Sequence, residues 1–478
     1  MNASDRNTQR ILAGPLGSEL ARFGTPLAIG MGLQTAFNLV DMYLIGQLPH
    51  DVRGAAIGAI GICDQLAALG TIISYGLSVA TSAMISRRQG QGDHDGVRRV
   101  AWQSLLVVLL LSAGFGLLGG AGARVLMVDM VGAKGQVAEL GTQYLRVLMG
   151  GSFTIFLLLH LTTLMRALGS SKTPVTLLLV ANVLNLVLAV LLIFGPGPAP
   201  ELFAWGPPVA AALGIPRLEL LGAAWATLLA RLVVLVPLFL LSVQRFGLFR
   251  KDGRERPRAE MMRAIVRLGW PSSAQLVMRI AAMLLTHSLV ARAFTTEQDQ
   301  TASTALGVVF RLETMALFVG LGWGSAAQTF VGQNLGAGNL ERAKRSGYYA
   351  AAFNGVMMAA LAAIYGVFGR ELVAFFDEDE PVIQIALSYF RWVGPTYLAL
   401  GLGIVLGAAM QGAGASLRVL LLDASVVFFF QIPASLFAGF ASGVSYHHIW
   451  LVVGTTYVLF GLFYFASYRR GRFLRAAV

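Results

Sequence analysis

The sequence predicts an all-α integral membrane protein of about twelve transmembrane helices, arranged as two six-helix lobes related by a pseudo-two-fold axis along the membrane normal. Three observations carry this expectation: an apolar composition, apolar runs of membrane-crossing length, and an internal repeat. Hydrophobic residues make up 56% of the 478 residues and charged residues 13%, about half the charge of a typical soluble domain; the mean hydropathy is +0.69.

The apolar runs recur at roughly 20 residues, the length of helix that crosses about 30 Å of hydrocarbon. They place spans at about 24–47, 55–84, 100–122, 140–165, 174–195, 220–243, 269–294, 302–330, 346–368, 382–411, 418–440 and 447–468. The 55 glycines suit helices that pack closely in a membrane. The polar start of the chain has no signal-peptide core before Gly24, so insertion by the protein's own helices is expected.

The formal charge of +12 has its explanation in topology. With both termini inside, about 25 Lys and Arg fall on the cytoplasmic side and about 5 on the other, as the positive-inside rule demands. The densest cluster, Arg245, Arg250, Lys251, Arg254, Arg256, Arg258, Arg263 and Arg267, lies at mid-chain. It reads as a cytoplasmic linker over 244–268 between a first lobe at 1–243 and a second at 269–478. This assignment excludes nucleic acid as a partner. The single cysteine, Cys63, allows no intramolecular disulfide, and no Cys/His metal pattern is present.

The repeat has an offset near 245. Pro26 opens the first span and Pro271 the seventh. Gly76-Leu-Ser-Val-Ala80 leads to Gly90-Gln-Gly92-Asp93, and Gly322-Trp-Gly-Ser-Ala326 leads to Gly336-Ala-Gly338-Asn339. Arg98-Arg99 follows one glycine pair and Lys344-Arg345 the other. Arg166-Ala-Leu-Gly169 matches Gln411-Gly-Ala-Gly414. An even number of spans per half makes the repeats parallel, an arrangement whose substrate sites lie at the repeat interface near the midplane. The glycine pairs follow no strand and lack the Gly-Lys-Ser/Thr signature of a phosphate loop, so an ion gradient is the expected energy source.

Asp41 lies well inside the first span, where a charge costs at least about 2.5–3.5 kcal/mol on insertion scales, and such residues are functional by default. Gln34, Asn38 and Asp41 are spaced to share one helix face. That face either looks into a cavity or forms a polar packing seam, and the ionisable group favours the cavity.

Taken together, the glycine loops, Pro26 with Gln34, Asn38 and Asp41, the segment Asn185 through Leu191-Leu-Ile-Phe-Gly195, Gly222-Ala-Ala-Trp-Ala-Thr227 and Val331-Gly-Gln-Asn-Leu-Gly-Ala-Gly338 resemble the MATE (multidrug and toxic compound extrusion) family, with a lean toward its DinF-like branch. The resemblance covers nearly the whole chain. It implies two six-helix lobes, a central cavity, and antiport of organic, often cationic compounds against protons or sodium.

The resemblance also implies an ion site in the first lobe made by Asp41, Asn185 and Thr227, with Gln34, Asn38 and Asp41 lining the substrate cavity. The family's second carboxylate, four residues after the Asn, is here Ala189. A sodium site prefers several hard oxygens, whereas burial penalises the charged form of a lone carboxylate and so makes it a proton carrier. The departure favours protons over sodium. In the NorM-like branch a Glu lies eight residues after the seventh-span proline; here that residue is Arg279. Arg279 needs a partner in the membrane, and Glu313 on the eighth span is the expected one, either for charge neutralisation or for coupling and anion recognition. His287 reads as a packed polar residue. Asp64 is an accessory proton site or a residue facing water, Asp423 and Arg231 satisfy local helix contacts, and Pro26 either kinks the first span or starts it. The loop over 196–219 is expected to be irregular, and Asp377-Glu-Asp-Glu380 to be a solvated helix start.

The function expected is secondary antiport exporting small organic, cationic or amphipathic compounds for protons, in the inner (plasma) membrane. The expected partners are a small-molecule substrate and membrane lipid, the expected state a monomer, and no cofactor or metal is expected. Sodium coupling and a lipid or oligosaccharide flippase of the same superfamily are the alternatives. Arg87-Arg-Gln-Gly-Gln-Gly-Asp93 does not match the Asp-Arg-x-Gly-Arg pattern of the major facilitator type, and no His/Asp/Ser constellation suggests an enzyme.

Overall fold

The computed structural model describes residues 3–249, 256–296, 299–440 and 445–475; the side chains of Ala3, Ala36, Asn38, Leu39, His50, Asp51, Gly439 and Phe440 are also outside the described set. Among the described residues every regular element is helical. A short α1 (Ala3–Ala13) precedes α2 (Leu16–Gly46), α3 (His50–Gln91) and α4 (His94–Arg124), which continues through a π-helical turn at Val125–Met130. The fourth span is α5 (Gly135–Gly150) with α6 (Phe153–Ala167). Then come α7 (Lys172–Phe194), a small α8 (Gly206–Ala212) and α9 (Glu219–Gln244).

The second half repeats this order. It comprises α10 (Ala259–Phe294), α11 (Thr301–Gly336), α12 (Leu340–Val367), a short α13 (Gly369–Ala374), α14 (Glu380–Val393) with α15 (Tyr397–Gly412), α16 (Ser416–Val426) running through a π turn into α17 (Ile432–Phe440), and α18 (Tyr446–Arg470). Eleven helical segments among the described residues are long and apolar enough to cross a membrane. The 31-residue α2, apolar over most of 24–46, supplies the twelfth. α3 has 42 residues, well beyond the roughly 20 that the hydrocarbon needs. α10 begins at Ala259 and so includes 259–268 of the segment read as linker; Arg250, Lys251 and Arg254 lie outside the described residues.

The glycine pairs are turn devices. Gly92 ends α3 with φ +74°, in the left-handed region that favours glycine, and Asp93 caps α4 by accepting the Gly96 N–H at 2.8 Å. That hydrogen bond, with Arg88 beside it, holds the Asp93 carboxyl below the usual carboxylate range, so this cap persists through neutral pH and is lost only in acid. Gly338, at φ +79°, occupies the same place before α12.

The halves meet along pseudo-symmetric crossings of α2 on α11 and α10 on α3. Small residues make the approach possible. A Cβ on Gly90 would overlap the Gln333 carbonyl, and a Cβ on Gly336 would overlap that of Arg87; Gly76 and Gly269 meet in the same way, as do Gly322 and Ala28. The Gly90 and Gly336 approaches lie at the ends of α3 and α11 and close that end of the interface. A valine at Gly336 is expected to wedge the seal open. A cysteine placed at Ser86, which is buried against Gly332, should then react at least about tenfold faster with an impermeant maleimide, as the population shifts. Cys63 is itself buried and stays silent in this assay.

Three sequence expectations need correction. Pro26 does not start a helix: α2 begins ten residues earlier and Pro26 lies inside it, as Pro271 lies inside α10. Each proline removes one backbone hydrogen bond from a span. The 196–219 segment is not wholly irregular, since it holds a 3₁₀ turn at Glu201–Phe203 and α8. The fourth span of each half is also not continuous. The breaks fall at Gly151-Ser152 and at Gly394–Thr396, positions that the 245-residue repeat superposes. The Asp377–Glu380 run does behave as a helix start, with Asp379 at the N-cap of α14.

Candidate functional site

The first lobe assembles its polar groups where α2 packs on α7 and α7 on α9. Asn185 Nδ2 donates to both carboxylate oxygens of Asp41, at 2.9 and 3.0 Å. Asn185 Oδ1 is buried and has no donor, which leaves an unused acceptor beside Asp41. Seven residues earlier on α2 and three earlier on α7, Gln34 and Asn182 exchange reciprocal amide hydrogen bonds at 3.0 and 3.2 Å. The side chain of Asn38 lies outside the described residues. Ala189 is buried and supplies no oxygen. Thr227 is not joined to Asp41 by a hydrogen bond; its hydroxyl donates to the Ala223 carbonyl of its own helix at 3.0 Å, the usual resort of a threonine inside a helix.

Two further charges act on this group. Arg231 attracts the Asp41 carboxylate and Asp64 repels it. Arg231 is therefore part of the Asp41 environment rather than a residue satisfied only along its own helix. Asp64 presents its side chain to open space and also interacts with the buried Tyr144 of α5. With two carboxylates against one guanidinium, this side of the interface is net acidic when both acids are ionised.

The second lobe corrects the partner of Arg279. Glu313 does not pair with it. Arg279 Nε and Nη2 donate to Asp423 at 2.5 and 3.2 Å, a two-pronged guanidinium–carboxylate pair. Asp423 is 0% exposed and Arg279 28%. Asp423 also accepts from Gln275 Nε2 at 2.7 Å and from the Tyr464 hydroxyl at 2.5 Å. The guanidinium lies 5.4 Å from the Phe460 ring centroid. The reason is topological. α10 packs directly on α16, so the seventh span meets Asp423 on the eleventh. Asp423 is thus a long-range partner, not a residue satisfied locally. The same seam exists in the first lobe: Arg279 occupies the repeat position of Gln34, and both residues bond to the fifth span of their own half.

Glu313 forms a separate cluster. It is 3% exposed, and its oxygens accept the hydroxyls of Tyr389 at 3.0 Å and Tyr457 at 2.8 Å. His287 stacks at an angle on Phe310, with centroids 5.5 Å apart. Sequence reasoning missed the tyrosines and the Arg279–Asp423 pair. The one signal was stoichiometric, because a membrane arginine requires a carboxylate and Asp423 was among the few available.

Twelve spans in two repeated lobes, with ionisable side chains gathered on the helices that face across the seam, define a membrane carrier. The comparisons make this specific. The MatE family profile matches residues 26–191 and 276–437, and the chain belongs to the MatE family of transporters. It is 27% identical over 459 residues to "Probable multidrug resistance protein YpnP" of Bacillus subtilis, covering 95% of each chain. It is 26% identical to the "FAD transporter" of Shewanella oneidensis, covering 91% of this chain and 90% of that one. A solved structure of an outward-facing multidrug resistance MATE family transporter superposes with a TM-score of 0.85 over 98% of each chain, at 23% identity.

Proposed function

We propose that this protein is a proton-coupled antiporter that exports small organic, cationic or amphipathic compounds across the inner membrane, as a monomer with both termini cytoplasmic. The observation that carries the reading is the bidentate Asn185–Asp41 contact beside an unused acceptor, with Ala189 where a second carboxylate would complete a sodium site. Ionised Asp41 holds a cationic substrate; a proton arriving from outside neutralises it and releases the substrate. Only a ligand that binds two states unequally can shift the balance between them, and a carboxylate that takes either a proton or a cation meets that condition. The names of the relatives support multidrug efflux as the class.

Ion choice is tested by substitution. Wild-type efflux is expected to run without sodium and to collapse with a protonophore. Ala189→Asp, which restores a second carboxylate one turn from Asn185, is expected to confer sodium stimulation. Sodium-dependent efflux by the wild type at a fixed pH gradient would show that other oxygens complete the site.

A second reading has its own support. The Shewanella relative is named an FAD transporter, and Arg279 stays partly exposed despite its pairing. Under this reading the cavity takes an anionic dinucleotide, with Arg279 and Arg231 contributing positive charge. Uptake of a flavin dinucleotide and of a cationic dye by the same proteoliposomes separates the two.

A further inference from the structure

We propose that Glu313 is a second, separate proton-binding site, and that its protonation is read by the break in the tenth span between Tyr389 and Tyr397. The proton-binding claim stands on the second lobe alone; its part in the transport cycle rests on the proton-exchange reading above.

Glu313 is almost wholly buried, and the charged groups around it can be named element by element. On α11 itself Arg311 is exposed, two residues away and on another face. α12 brings Tyr365, whose hydroxyl is committed to the Leu312 carbonyl at 2.7 Å. α14 brings Tyr389, α15 Tyr397 and α18 Tyr457. Arg279 reaches Tyr457 with its charge, but its hydrogen bonds go to Asp423. No ion pair to Glu313 exists among the described residues. A carboxylate ion buried without a counter-charge loses far more solvation than two neutral hydroxyl donors return. The group is therefore one that binds a proton in exchange for modest rearrangement.

The geometry also supplies what the protonated form needs. A carboxylate only accepts hydrogen bonds, whereas a carboxylic acid must also donate one. The Tyr397 hydroxyl is fully buried, is not hydrogen-bonded to Glu313 or to any other described group, and interacts with Glu313 through charge alone. On protonation a new O–H bond forms on Glu313, the Tyr389 hydroxyl contact is released, and the acid turns to donate to Tyr397 Oη. No redox change is involved, and the proton comes from water. Tyr389 belongs to α14 and Tyr397 opens α15, with the 3₁₀ turn Gly394–Thr396 between them. The exchange thus moves a hydrogen bond from one side of the break to the other.

The repeat offers an independent parallel. Tyr144 stands 245 residues before Tyr389, on the span that breaks at Gly151-Ser152, and Asp64 of the second span acts on it. Each lobe therefore sets a carboxylate of its second span against a tyrosine of its broken fourth span. In the first lobe that carboxylate is exposed at the surface of its helix, and in the second it is buried.

The test is pH-titrated infrared difference spectroscopy on the purified full-length protein in nanodiscs, following the carbonyl stretch of protonated carboxylic acids. Asp41→Asn should leave a titrating acid band that Glu313→Gln removes. Tyr397→Phe deletes a hydroxyl with no present partner and should leave folding intact. It should move that band to higher frequency and lower the proton affinity of Glu313 by about tenfold. If Glu313→Gln removes no band, or if Tyr397→Phe leaves its position and midpoint unchanged, the proposal is overturned. If Asp41→Asn alone abolishes every titrating band, this proposal fails while proton exchange at Asp41 stands. If the Glu313 band is present but the wild type moves substrate without protons, this proposal holds and the antiport reading fails.

Discussion

Asp41→Asn is expected to reduce proton-driven substrate accumulation to the level of empty liposomes while leaving the protein folded. Exchange of one proton for one monovalent cation moves no net charge, so the pH difference alone drives it; at about 1.4 kcal/mol per tenfold, about two pH units sustain a substrate gradient of about 100-fold. Removing the titrating group removes the coupling, so the accumulation ratio should fall from that order to about one. Asparagine keeps the shape of aspartate and can still hydrogen bond to Asn185, so stability should change little. Gln34→Ala should cost much less transport. It breaks the reciprocal amide pair with Asn182 but removes no ionisable group. Purified protein, reconstituted at equal density, with a fluorescent cationic dye as substrate, gives both ratios directly.

The second large effect is on stability. Arg279→Met leaves Asp423, which is 0% exposed, with Gln275 and Tyr464 as donors but without its counter-charge. Breaking a buried pair from one side costs about 3–5 kcal/mol; the partial exposure of Arg279 places the expected loss near about 3 kcal/mol. The double variant Arg279→Met, Asp423→Leu should recover most of it, because an apolar pair of similar volume often replaces a buried ion pair without loss. Thermal unfolding of the four proteins in detergent completes the cycle. Recovery of stability without recovery of transport would assign the pair to substrate handling. Full recovery of both would assign it to packing.

The architecture was largely legible in the sequence because membrane insertion leaves few choices. Apolar runs of fixed length can only be helices, and the offset relating Pro26 to Pro271 and Gly90 to Gly336 already carried the two-lobe symmetry. The same glycines then proved to be the points where the lobes touch. What the sequence could not convey is which span lies beside which. Glu313 looked like the partner of Arg279 because the seventh and eighth spans are adjacent in the chain. In space α10 packs more extensively on α16 than on α11, and Asp423 takes the role. Thr227 illustrates a different limit. Its position in the family pattern is a statement about a site, but a threonine in a helix can always bond to its own backbone, as it does here. The tyrosine cage of Glu313 was unreadable for a third reason. Its members come from two spans, Tyr389 and Tyr397 on the two sides of the break in the tenth and Tyr457 on the twelfth, and a tyrosine in a membrane helix gives no sign of its hydroxyl's partner until the packing is known.

The central claim is that this carrier exchanges substrate for protons through a carboxylate that holds one or the other. The most direct measurement adds a cationic substrate to the detergent-purified protein in weakly buffered, sodium-free solution and follows proton release with a pH indicator. Prompt, stoichiometric release is expected from the wild type and its loss in Asp41→Asn, with substrate affinity in the wild type rising with pH. Substrate binding with no proton release, unchanged between pH 6 and pH 8 in the wild type and in Asp41→Asn, would contradict it.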